Sequence, residues 1–261
     1  MKTLDKLTLV LAMGAVFTFP AAAAPEPWTP ESLAEAMAKL PKGDAARGEA
    51  LIPKTSCGGC HGPKGLAPMP AFPHLAGQPA NVTKKAMLDY QTGRRSQGMQ
   101  AMMMAGMAGA VTPEQIADLA AYYETLPGGP GVAPKADAKK ADGKDAKAEA
   151  KDDGKSLPVM TLITKGDRTR GITPCAACHG SSAAGNPNGE VPVLHGQQVE
   201  YLKATLKAYR SGERSSDLLK EMRVFAKPLT DAEIEALATY YGSQKGRAGA
   251  ADKAAVKPAA K

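Results

Sequence analysis

Large side chains are scarce in this chain. Aromatic residues make up 5% of its 261 residues, and Trp28 is the single tryptophan. Two domains of ordinary size with so few large groups have thin cores, and small domains short of core need a disulfide, a metal or a bound apolar group as a staple. Long apolar runs are missing too: after Leu7 to Phe19 no segment approaches the roughly 20 residues that span a bilayer, which excludes a multi-span membrane protein. Basic residues interleaved with stacking aromatics are absent, which argues against a nucleic-acid-binding surface. No stretch alternates as a β-strand, so an all-α fold is expected.

The N-terminus is informative. Lys2 and Lys6 precede the small and apolar run Leu7 to Phe19, then Pro20 and a row of alanines. Ala21 and Ala23 suit an A-x-A cleavage site, so residues 1–23 read as a signal peptide and the mature chain as an exported protein, placed in the periplasm. An uncleaved anchor is the alternative, but the run is too short to span a membrane.

The chain also repeats itself. Gly43-Asp44-Ala45-Ala46-Arg47-Gly48 answers to Gly166-Asp167-Arg168-Thr169-Arg170-Gly171, and Leu75-Ala76-Gly77-Gln78 to Leu194-His195-Gly196-Gln197. Tyr90 to Arg95 matches Tyr209 to Arg214. Met104, Thr112, Ile116 and Tyr122-Tyr123 match Met222, Thr230, Ile234 and Tyr240-Tyr241 at one constant offset. Two copies of one domain follow, over residues 24–127 and 157–245. Residues 128–156 between them are rich in Lys, Asp, Ala and Gly with little to bury, and read as a disordered linker; residues 246–261 read as a disordered basic tail.

Helices are expected at Glu31–Leu40, at Asn81–Tyr90 and at Val199–Tyr209. Two further helices start behind Thr112 and Thr230, acting as N-caps, with Ile116, Leu119, Ala120 and Tyr123, and then Ile234, Leu237, Ala238 and Tyr241, on their buried faces. The stretch after His61 is too rich in proline for a helix.

Each copy contains one C-x-x-C-H: Cys57-Gly-Gly-Cys60-His61 and Cys175-Ala-Ala-Cys178-His179. In an exported chain four cysteines suggest two disulfides, but this spacing is the attachment signature of c-type haem, with two thioethers and a neighbouring imidazole for the iron. A thioredoxin-like pair needs a βαβ setting, and a shared zinc site would have to close across the linker. Two covalently attached haem c groups are therefore expected, with His61 and His179 as axial ligands. Methionine is the usual sixth ligand in electron-carrying cytochromes. Met222 is the one methionine after the second motif, and the repeat carries it to Met104, with Met103 as the substitute. Met99, Met102 and Met107 are expected to fill core around the haem. His74 and His195 occupy non-equivalent repeat positions and read as loop or pocket residues. Arg94, Arg95 and Arg214 either pair with haem propionates or acidic partners, or form a solvated face.

These residues resemble class I cytochromes c, above all the dihaem cytochrome c4 group and its cytochrome c553-like relatives. The resemblance is carried by Cys57-x-x-Cys60-His61-Gly62, Leu75-Ala76-Gly77-Gln78, Gly93-Arg94-Arg95 and Met104, and by Cys175-x-x-Cys178-His179-Gly180, Gly196-Gln197, Gly212-x-Arg214 and Met222. It covers both domains and neither signal, linker nor tail. It implies two tandem cytochrome c folds with N- and C-terminal helices crossing beside the haem, and an electron carrier rather than an enzyme. The implied partners are redox proteins: a membrane cytochrome complex, a terminal oxidase or a dehydrogenase. The net charge of +7 favours acidic partners or an anionic membrane surface. The linker departs from the group's short connection; as a free coil it spans roughly 30 Å, so the halves either dock or move independently. The second copy has fewer residues between its Gly-Asp motif and its haem motif, so a shortened first helix is expected there.

Overall fold

A computed structural model describes residues 25–131, 157–186 and 188–247. The expected signal peptide, linker residues 132–156 and tail residues 248–261 lie outside the described residues. Eleven α-helices are described: α1 (Pro30–Ala38), α2 (Ala45–Leu51), α3 (Cys57–His61), α4 (Ala80–Gln91), α5 (Met99–Gly109), α6 (Pro113–Thr125), α7 (Val159–Thr164), α8 (Cys175–His179), α9 (Val199–Ser211), α10 (Glu221–Ala226) and α11 (Asp231–Ser243). Among the described residues the sole β feature is an isolated bridge between Asp167 and Ile172, and no helix is long and apolar enough to cross a membrane.

The two C-terminal helices, α6 and α11, organise their domains. Thr112 accepts from the Gln115 N–H while the Gln115 side chain reaches back to the Thr112 N–H, and Thr230 and Glu233 form the same reciprocal cap. The buried faces are those that the periodicity predicts: Ile116, Leu119, Ala120 and Tyr123 in α6, and Ile234, Leu237, Ala238 and Tyr241 in α11.

In the first domain α2 crosses α6 at contact distance because two glycines have no side chain to intervene. A Cβ on Gly43 would lie 2.0 Å from the Ala117 carbonyl oxygen, and one on Gly48 would lie 2.1 Å from that of Asp118. Arg47 locks the crossing with two hydrogen bonds to the Asp118 carboxylate, at 2.7 and 2.8 Å. The second domain solves the same problem differently. Between Gly166 and Cys175 there is no helix; the chain closes a tight turn through the Asp167–Ile172 bridge. The short helix α7 precedes it and buries Leu162 and Ile163 in a core shared with α11. Where a shortened helix is expected the helix is absent, and the six-residue α7 lies ahead of the Gly-Asp pair instead. Arg170 still clamps the C-terminal helix, now through Glu233.

The halves dock. Residues 128–131, assigned to the linker by composition, carry structure: the Gly128 N–H donates to Arg247 O at 2.8 Å, and the Gly246 N–H donates to Gly129 O at 2.8 Å. Trp28 is buried, donates to Asp89 at 2.6 Å and lies under the Arg94 guanidinium at 3.7 Å. Asp89 also pairs with Lys85, whose ammonium reaches across to Ser216 O at 2.7 Å.

Candidate functional site

Each C-x-x-C-H forms a five-residue helix, α3 or α8, ended by a glycine with positive φ: 76° at Gly62 and 80° at Gly180. A side chain at Gly62 would place its Cβ 2.3 Å from Leu66 O, so the reversal after His61 requires glycine. No disulfide joins Cys57, Cys60, Cys175 or Cys178, so both pairs are left for the thioether attachment that the spacing predicts. Cys57 borders the core of Ile52, Leu119, Tyr122 and Tyr123, while Cys175 borders the larger core of the second domain.

The histidines are buried and oriented alike. His61 Nδ1 lies 2.9 Å from Pro73 O, and His179 Nδ1 lies 3.0 Å from Pro192 O. A carbonyl only accepts, so each Nδ1 carries the proton and each Nε2 keeps a free lone pair. Burial lowers both imidazole pKa values, which keeps the rings neutral. A neutral ring with its outer nitrogen fixed by a carbonyl is the form that binds metal.

Met104 and Met222 sit at equivalent repeat positions, half-buried in α5 and α10. Met222 borders the same apolar cluster as Cys175. The other α5 methionines correct an expectation: Met99, Met102 and Met107 are exposed on the outside of the helix and fill no core. His74 is structural, its Nδ1 accepting the Ala67 N–H at 2.9 Å, and His195 packs against the Tyr240 and Tyr241 rings.

The arginines divide. Arg94 is used locally, over Trp28 and on Glu26 O. Arg95 and Arg214 are repeat equivalents facing the other half, stacked over Tyr90 and Tyr209, with Arg95 also donating to Tyr201 Oη at 3.3 Å. Arg214 Nε and Ser216 Oγ are buried polar atoms with no partner among the described residues. Both can donate a hydrogen bond, which suits an anionic partner. The unbridged cysteine pairs, the neutral imidazoles and this unmet donor together fit haem c with its carboxylates.

In the sequence Gln78 and Gln197 stand out as equivalent repeat positions and as part of the family resemblance, with no role assigned to either side chain. In the structure each reaches the other half: Gln78 bonds both backbone groups of Val193, and Gln197 both backbone groups of His74. Val193 and His74 are themselves equivalent, so the interface has the two-fold self-complementarity of a symmetric dimer.

The sequence profile described as Cytochrome c matches this chain twice, over residues 45–127 and 163–245. Cytochrome c4 from Thiocapsa roseopersicina is 33% identical over 199 residues, covering 76% of this chain and 91% of its own. The thiosulfate dehydrogenase electron acceptor of Thiomonas intermedia (strain K12) is 31% identical over 199 residues, covering 72% of this chain and 78% of its own. The crystal structure of reduced recombinant cytochrome c4 from Pseudomonas stutzeri superposes with a TM-score of 0.62 at 29% identity, over 77% of this chain and 99% of that one.

Proposed function

The chain belongs to the cytochrome c family, and from that premise we propose a periplasmic electron carrier with one His/Met pair on each of two irons. Two haem c groups are attached covalently, at Cys57 and Cys60 and at Cys175 and Cys178. His61 and Met104 ligate one iron, and His179 and Met222 the other. Haem c supplies a one-electron couple, whose potential a thioether ligand raises.

The protein's own groups do the rest. The Pro73 and Pro192 carbonyls hold the two imidazoles in one tautomer and orientation. The short helices α3 and α8 fix the thiols beside those rings. Arg95 and Arg214, stacked over Tyr90 and Tyr209, would neutralise the haem carboxylates, and Arg214 Nε would donate to one of them. The observation that carries this reading is the matched pair of oriented, neutral histidines in two copies of one domain.

With His61 and Met104 holding one iron and His179 and Met222 the other, no coordination place would be left for a substrate, which supports electron transfer rather than bond-making chemistry as the function. A dehydrogenase or a membrane cytochrome complex is the donor class, and a terminal oxidase the acceptor class. A dehydrogenase donor is supported by the relative named as an electron acceptor of thiosulfate dehydrogenase. Residues 1–23, read as an export signal, support a periplasmic location for the carrier.

Mass spectrometry of exported protein is expected to show two porphyrin adducts per chain. Optical spectra are expected to show two low-spin haems that do not bind carbon monoxide rapidly when reduced. Rapid stoichiometric binding at one haem would mean an open coordination site and would replace the carrier with an enzyme.

A further inference from the structure

Helix α5 carries five of the chain's twelve methionines in the sequence MQAMMMAGMAG. Its inward side is defined by burial: Ala108 is fully buried, and Ala101, Met104 and Ala105 are half-buried. At about 100° per residue, Met102, Met99, Met103 and Met107 follow one another round the remaining surface, within an arc of about 140°. Their exposures of 60%, 72%, 48% and 41% agree with that placement. Gly106 lies in the same arc, and a Cβ there would meet nothing within 4 Å.

The second copy supplies an internal control. The positions equivalent to Met99, Met102, Met103 and Met107 are Asp217, Lys220, Glu221 and Phe225. That copy keeps Met222 and the rest of the repeat without them. Neither the fold nor the proposed iron ligand therefore needs a thioether at these four places.

We propose that Met99, Met102 and Met103 form a binding site for Cu(I) on the outer face of α5. Residues at i, i+3 and i+4 are neighbours on a helix surface, with Cβ atoms about 5–6 Å apart. Each methionine has three flexible bonds behind a polarisable sulfur, so three sulfurs can converge on one ion. Soft thioether donors select Cu(I) over Mg(II), Ca(II) or Mn(II). The helix itself carries no charged side chain; the carboxylate beside its N-cap is that of Glu213, near Gly98. The ion binds as Cu(I) and leaves as Cu(I), so no electron is transferred in the step.

The test is an anaerobic titration of the reduced holoprotein with Cu(I) buffered by a chromophoric chelator. One Cu(I) per chain is expected, with the haem spectrum unchanged. The variant Met99→Leu/Met102→Leu/Met103→Leu is expected to bind at least about tenfold more weakly, with normal haem spectra, since leucine preserves bulk at exposed positions. Failure of the wild type to take copper from the chelator overturns the proposal, and so does undiminished uptake by the triple variant. A second measurement uses Ag(I) as a redox-inert probe with methyl-labelled methionine. Shifts at Met99, Met102 and Met103 support the site, and shifts confined to other methionines refute it.

Discussion

Gln197 holds the backbone of His74 by both of its hydrogen-bonding groups, donating to the carbonyl at 2.9 Å and accepting the N–H at 2.7 Å. Gln78 holds Val193 in the same way, at 2.9 and 3.1 Å. All four residues are buried. Removing either carboxamide leaves a buried N–H and C=O open, at about 1–3 kcal/mol for each unsatisfied group. The variant Gln78→Ala/Gln197→Ala is expected to uncouple the halves, so that calorimetry resolves two unfolding transitions where the parent shows one. An unchanged single transition would show that the interface is held by something else.

Met222→Ala is expected to remove about half of the Met-to-iron charge-transfer intensity and to lower the potential of one haem, because a thioether raises the potential of the iron that it binds. Met104→Ala is expected to remove the other half. Met103→Ala is expected to leave both unchanged. Spectra that respond to Met103 instead of Met104 would reassign the first ligand.

Gly48→Ala is expected to destabilise the first domain selectively. The new methyl would lie 2.1 Å from Asp118 O, and backbone is what must move. Overpacking of this kind costs about 1–3 kcal/mol and more when backbone is displaced. Gly171→Ala has no such neighbour, so its cost is confined to its positive φ of 71°. Urea unfolding of the two variants compares them directly.

Acid is expected to weaken the second domain through Asp167 and Glu233. Hydrogen bonds from Thr169 and Arg170 hold Asp167 down at about 2. Burial pushes Glu233 up, but its bonds from Arg170 and from the Thr230 and Leu157 N–H groups outweigh this and hold it below the ordinary range. Both folded pKa values are depressed, so the unfolded chain takes protons first. The stabilisation is complete above the unfolded carboxylate pKa of about 4 and is lost as pH falls through the folded values. Melting temperatures measured from pH 6 to pH 2 are expected to fall, and Glu233→Gln to flatten the lower part of the curve.

What the sequence makes legible is local. The caps at Thr112 and Thr230, the buried stripes of α6 and α11 and the two cysteine turns depend on residues within a few positions of one another. The docking is invisible for a physical reason: Gln78 and Gln197 read backbone, and backbone looks the same under His74 as under Val193. The outward methionines are ambiguous for another reason. Thioethers suit both interior and surface, and only the burial of Ala101, Ala105 and Ala108 shows which way α5 faces. The placement of α7 ahead of the Gly-Asp pair is hidden because a six-residue helix has almost no periodicity to detect.

The near-exchange of roles between Gln78 and Gln197 has a consequence for how this molecule can vary. A pair of separate, identical subunits meeting across that surface would have to change both partners at once. Joined in one polypeptide, the halves meet at any dilution, and each is free to change alone. That freedom is visible in the contrast between the thioether-lined flank of α5 and its charged counterpart at Asp217, Lys220 and Glu221, leading into α10: a covalent tether turns symmetry from an obligation into a starting point.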